Sequence, residues 1–193
     1  MGRRGFSLLE LILVVAIIAV VGTMATINVQ TILKNSRVDS AYDITMTALR
    51  KARQTAIDER SVYIVNFNLP RTIVTQKVFG GLANDVSQID LPSDIMFRAE
   101  TGIPNVKLKT PDHFGTGDKA IDFSVDYSGG GTQVYFQPDG SAVDSMGRIN
   151  NGVVYLARPG ELRSSRAVSL FGATGRIRGW RLVVGTGGTT SWQ

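Results

Sequence analysis

From Leu11 to Leu33 the chain runs 23 residues without a charged side chain, and Leu11–Val21 is apolar at every position. A helix of that length covers roughly 35 Å, enough for a hydrocarbon core of about 30 Å. The run predicts a single membrane segment. Arg3 and Arg4 precede it, and a basic flank predicts a cytoplasmic N-terminus. One acid, Glu10, stands at the head of the run. A charged side chain at mid-membrane costs about 2.5–3.5 kcal/mol, so a retained acid points to a partner or a function. Its place near the basic side lowers that cost. An interfacial acid at a helix start also favours the macrodipole, which is the plainer account of it.

The surrounding residues sharpen the reading. Gly5-Phe6-Ser7-Leu8-Leu9-Glu10, followed by an unbroken apolar stretch, resembles the N-terminal signature of type IV pilins and of the pseudopilins of type II secretion. In that family a prepilin peptidase cuts after the glycine and methylates the new N-terminal phenylalanine. The resemblance implies cleavage between Gly5 and Phe6, N-methylation of Phe6, and pairing of Glu10 with the terminal amine of a neighbouring subunit during assembly. Two other readings share the basic start and apolar core. A secretory signal peptide would place a small-x-small cleavage site at Thr23-Met24-Ala25, although such cores run only about 7–15 residues. A plain signal anchor accounts for the span but not for Gly5, Phe6 or Glu10.

Helical periodicity continues past the apolar run. Val38, Ala41, Tyr42, Thr45, Leu49, Ala52 and Ala56 recur at steps of three and four, with charged residues on the other faces. No proline occurs before Pro70, which predicts one continuous helix from Phe6 to about Glu59, with Gly22-Thr23 its weakest point. From Ser61 the period changes to two. Val62–Phe67 and Thr72–Phe79 flank Asn68-Leu69-Pro70-Arg71 as a hairpin; further strands are expected at Ile95–Ala99, Ala120–Tyr127, Gln133–Gln137, Val153–Ala157, Val168–Phe171 and Arg176–Val184. Gly80–Asp94 and Thr101–Lys119 are expected as loops.

The expected class is α+β: a long N-terminal transmembrane and amphipathic helix packed on an antiparallel β-sandwich-like domain of pilin type. The divisions are a leader at 1–5, a membrane and assembly half of the helix at 6–33, an amphipathic half at 34–60, a periplasmic β domain at 61–184 and a flexible tail at 185–193.

Three later segments narrow the resemblance to the GspH/FimT group of minor pseudopilins and minor pilins. Ala48–Ile57 resembles its A-L-x-x-A-R-x-x-A helix segment, Phe136–Ser141 its F-x-x-D-G-S turn, and Ala173–Arg178 its closing G-R-x-R strand. Gly80–Lys119 carries none of these motifs and is expected to be a family-variable insertion.

Chemistry is sparse. The chain has no cysteine and one histidine, His113, which excludes thiolate sites and paired-histidine zinc sites. Asp112 and Asp118 sit near it in a Gly/Pro loop, and Asp122 and Asp126 are expected on one solvated strand face. No strand–loop–helix with lysine surrounds the glycine turns, so no phosphate cradle is expected. No enzyme activity, cofactor or metal is expected. The formal charge of +5 sits at the two ends: +2 over Met1–Gly5, −2 over Phe6–Ala157 and +5 over Arg158–Gln193. Within the last segment, Arg176, Arg178 and Arg181 with Trp180 suit phosphates and stacked bases if they share a face. The same arginines suit a charge-protected edge strand.

The expected function is an H-type minor pseudopilin, a structural subunit of the periplasmic pseudopilus in type II protein secretion. Its partners would be the inner membrane, the prepilin peptidase, other pseudopilin or pilin subunits and secreted cargo. The alternative is a minor pilin of a type IV pilus that binds DNA in natural transformation through Arg176, Arg178 and Arg181.

Overall fold

The computed structural model describes residues 7–107, 110–115, 118–127 and 129–193, with the side chains of 23–32 and 126 outside that description. Gly5 and Phe6 therefore lie outside the described residues. The chain divides into two compact units, Met1–Ser36 and Arg37–Gln193. Helix α1 (Leu8–Asp58) is unbroken over 51 residues, as the absence of proline predicts.

In the first unit the apolar side chains of Leu8–Val21 are exposed. Among the described residues no helix is long and apolar enough to cross a membrane. The uncharged run continues into 23–32, whose side chains are not described.

In the second unit α1 becomes one-sided. Val38, Ala41, Thr45, Ala48, Leu49, Ala52 and Ala56 are buried, at the three- and four-residue steps of a single stripe. Four of the seven are alanine, so the helix backbone can lie close to the sheets. Thr45 is accommodated because its hydroxyl donates to the Ala41 carbonyl at 2.9 Å. The helix ends in a Schellman arrangement: Ser61 N–H donates to the Ala56 carbonyl and Arg60 N–H to that of Ile57, with Arg60 left-handed at φ 50°.

Eleven strands follow among the described residues: β1 (Tyr63–Asn68), β2 (Thr72–Phe79), β3 (Leu82–Asp90), β4 (Met96–Phe97), β5 (Ile121–Asp122), β6 (Gln133–Phe136), β7 (Ala142–Val143), β8 (Gly152–Ala157), β9 (Arg166–Phe171), β10 (Arg176–Val184) and β11 (Thr190–Trp192). One sheet runs β3-β2-β1-β6-β7. The other runs β11-β10-β9-β8-β4, with β5 also on β8. Every pairing is antiparallel.

The main core lies where both sheets meet α1: Val65, Phe67 and Phe136 from the first sheet, Leu156, Val168 and Leu170 from the second. A second core covers the opposite face of the second sheet. There Ile103 and Phe114 from the 99–115 segment, with Trp192 from β11, pack on Val153, Tyr155, Ala167 and Leu182. With both faces covered, all six residues of β8 are buried.

Two expectations are corrected. Gly80–Asp94 is not a loop. Gly80 and Gly81, both at positive φ, make a two-residue hairpin turn into β3. Residues 185–193 are not a loose tail. Trp192 is buried, pairs with Leu182 across β10, and donates its ring N–H to the Pro104 carbonyl at 2.7 Å. The described part of Thr101–Lys119 has little regular structure, as expected, and supplies Ile103 and Phe114 to the second core.

Candidate functional site

Two places carry the residues singled out in the sequence. The first is the head of α1. Ser7 opens the helix, its carbonyl accepting from Leu11 N–H at 3.2 Å. Glu10 lies in the first turn and is exposed. Leu8 is 77% exposed and Ile18, ten residues on, still 64%. Over Leu8–Val21 the helix is apolar apart from Glu10 and its side chains are exposed.

The second is β10. Its register against β9 runs without a shift from Arg176↔Phe171 to Arg181↔Arg166. Alternation therefore sets Arg176, Arg178 and Trp180 on one face and Arg181 on the other. Arg176 and Arg178 each donate to Asp112 Oδ1 at 3.1 Å, and Asp112 Oδ2 accepts from the Ser169 hydroxyl at 3.2 Å. Arg181 lies 3.6 Å from Asp39 of α1, a carboxylate that also receives Arg166 at 3.0 Å. The three arginines do not converge.

Trp180 is not a free stacking platform either. Its ring N–H donates to Ser169 Oγ at 2.9 Å and its ring lies 6.1 Å from that of Phe114. Asp112 was invisible as a partner in the sequence because it arrives from a segment more than sixty residues away. It sits with His113 in a turn where both residues have positive φ, 54° and 52°. His113 itself is exposed. Asp122, expected on a solvated face, is fully buried and accepts from the Ser124 hydroxyl. Burial, then the charges of Asp112 and Asp122, push the nearby Tyr127 hydroxyl far above its ordinary range.

A third place emerges from the fold. The helix segment, the F-x-x-D-G-S turn and the G-R-x-R strand meet at Arg53. Its Nε donates to the Gly140 carbonyl at 3.0 Å and its Nη2 to that of Thr174 at 3.1 Å. Gly175, at φ 61°, passes so close to the Gly140 carbonyl and to Arg53 that a Cβ has no room. The turn closes around Asp139, whose Oδ1 accepts from the Ser141 hydroxyl at 2.6 Å and its N–H at 2.8 Å; these bonds hold the carboxyl below its usual range. Three motifs noted separately in the sequence thus form one joint between helix and sheets. Beside it lies an open cleft of about 540 Å³ bordered by Arg50, Lys51 and Gln54. Among the described residues no group of three or more His, Asp or Glu side chains is placed to hold a metal ion.

The helix lying on two antiparallel sheets, with an N-terminal methylation signature before it, defines the pilin-like class. The model of the prokaryotic N-terminal methylation motif matches residues 1–26. The chain has a pilin-like fold and carries the N-terminal methylation motif. Among solved structures it is similar to the minor pseudopilin EpsH from the type 2 secretion system of Vibrio cholerae, at 10% identity and TM-score 0.50, covering 75% of this chain and 97% of that one. It is also similar to the type IV minor pilin FimU of Pseudomonas aeruginosa, at 14% identity and TM-score 0.47, covering 75% of this chain and 89% of that one. At 10% identity the likeness to EpsH speaks for the fold alone. No curated protein sequence matches the chain.

Proposed function

We propose that the chain is an H-type minor pseudopilin, a structural subunit of the pseudopilus in type II protein secretion. The observation that carries this reading is the N-terminal methylation motif leading into an exposed apolar helix with Glu10 in its first turn. The prepilin is inserted once in the inner membrane, N-terminus in the cytoplasm and β domain in the periplasm. A prepilin peptidase cuts between Gly5 and Phe6 and methylates Phe6. The helix then exchanges lipid for the helices of neighbouring subunits. Glu10 meets a neighbour's terminal amine and sets the axial register, since an acid left alone in hydrocarbon is costly. The β domain is left to contact other minor subunits or secreted cargo.

The test is the mature N-terminus together with Glu10→Ala. Mass spectrometry should find methylated Phe6 first, and the variant should be cleaved normally but fail to enter the filament. A start at Thr26, or normal incorporation of the variant, overturns the reading.

A second reading, a DNA-binding minor pilin, draws on the exposure of Arg176 and Arg178 on one face of β10. Arg181 belongs to that reading from the opposite face. DNA would have to displace Asp112. Salt-dependent gel shifts of the parent and of Arg176→Ala/Arg178→Ala decide it: absence of a shift in the parent ends the idea.

A further inference from the structure

β3 is the outer strand of its sheet, and among the described residues no strand pairs with its far side. It is nine residues long and eight of them are exposed. Edges of that length are usually blunted by charged side chains, lysine above all, by proline, by a bulge or by a covering element. β3 contains neither lysine nor proline. Its one irregularity is a bulge: the register shifts so that Thr75 faces Ser87 and Gln76 faces Asp85, leaving Val86 without a residue opposite.

The β2–β3 hairpin also displays apolar side chains. Phe79 is 75% exposed, Leu82 71% and Val86 57%. Between β3 and α1 lies a cleft of about 350 Å³ where Ala48, Ala52, Tyr63, Val86 and Ile89 are joined by the charged Lys51 and Glu59. The bulge brings Val86 and its neighbour Ser87 both to this cleft.

We propose that this edge and cleft receive an added β-strand from a partner protein: an extended segment with aliphatic residues at alternate positions and Lys or Arg between them. A free edge offers a row of backbone donors and acceptors that an extended chain satisfies, and pockets beside it choose the side chains. Period-two aliphatic residues place one row into the cleft, against Ala48, Ala52, Val86 and Ile89. The charge comes from β3 itself. Asp85 accepts from the Gln76 side chain at 2.7 Å and Asp90 from the Thr72 hydroxyl at 2.6 Å, both neutral donors. Basic residues opposite them are favourable, whereas a second copy of β3 would set acid against acid. The partner is therefore a different, basic strand. This surface lies in the unit Arg37–Gln193 and its pairing does not depend on how Gly5, Phe6 and Glu10 are used, so it stands or falls apart from the assembly reading.

The test uses the full-length chain in detergent micelles with a fluorescein-labelled decapeptide of alternating valine and lysine. Anisotropy should show saturable binding, and amide exchange should slow at least tenfold within residues 82–90. Val86→Lys/Ile89→Lys changes two solvent-facing positions; it should keep the parent's thermal melt and bind at least tenfold more weakly. A decapeptide of alternating proline and lysine carries the same charge but cannot pair as a strand, and should not bind. No binding of the valine peptide, equal binding of the proline peptide, slowed exchange elsewhere, or dimers that protect 82–90 without peptide would each overturn the proposal.

Discussion

The Arg53 guanidinium lies 3.0 Å, from Nε, to the carbonyl oxygen of Gly140, a residue 87 positions further along the chain. Through its second bond to Thr174, one helix side chain holds two turns that belong to different sheets. Side-chain hydrogen bonds from a charged donor to backbone contribute about 1.5–3 kcal/mol each where partly buried.

Gly175→Ala should be costly. It forces a Cβ toward the Gly140 carbonyl and into a left-handed backbone, which alone costs about 1–2 kcal/mol. A total loss of about 2–4 kcal/mol is expected, or about 5–15 °C in Tm for a domain of this size. Gly147→Ala, also at positive φ but with open space around it, should lose only the backbone part. Thermal melts of the two variants side by side separate strain from crowding.

Trp192→Ala should destabilise by about 3–4 kcal/mol, the range for deleting a buried large aromatic. The ring stacks on Tyr155 with centroids 5.8 Å apart and is 5% exposed. Denaturant unfolding measures it; a change under about 0.5 kcal/mol, typical of surface positions, would return 185–193 to the status of a tail.

Asp112→Asn should act locally. Arg176 and Arg178 are nearly half exposed, so solvent screens most of the pairing and global stability should fall by about 1 kcal/mol at most. Amide exchange in the turn around residues 111–114 should quicken, because the carboxylate is what ties that strained turn to β10.

Acid should weaken the fold through Asp94. Burial alone would raise its carboxyl, but the Arg158 hydrogen bond, followed by the charges of Arg158 and Arg37, leaves it below the ordinary range. A depressed carboxyl stabilises the fold above its unfolded value near 4, and that contribution is lost as pH falls through the folded value. Asp94→Asn should lower Tm at neutral pH by an amount equivalent to about 1–2 kcal/mol and flatten the decline below about pH 4. At the alkaline end, burial and then the Glu59 hydrogen bond push the Tyr63 hydroxyl up to about 12. Stability from that group is full below about pH 10 and falls between there and about pH 12, a step that Tyr63→Phe should remove.

Much of the fold was legible because burial writes itself into spacing. The buried stripe from Val38 to Ala56 and the apolar stretch Val153–Ala157 show as a helical period and a continuous run. β3 escaped for the converse reason. With both faces wet, nothing constrains Leu82–Asp90 to alternate, and the Gly80-Gly81 turn was the remaining signal. The arginine site shows the same limit in three dimensions. Alternation already separates Arg181 from Arg176 and Arg178, but Asp112 belongs to an irregular segment whose folding is decided by Phe114 entering an aromatic cluster. Periodicity carries no information about such non-local contacts.

The covered outer face of the second sheet limits how this lineage can diverge. Val153, Tyr155, Ala167 and Leu182 are buried on that face because Phe114 and Trp192 sit over them. A descendant that shortened the 99–115 segment would expose these residues together, unless they turned polar in the same period of change. The segment that looks freest to vary is thus coupled to strands far along the chain. Its length should covary with the residues at 153, 155, 167 and 182 among related sequences.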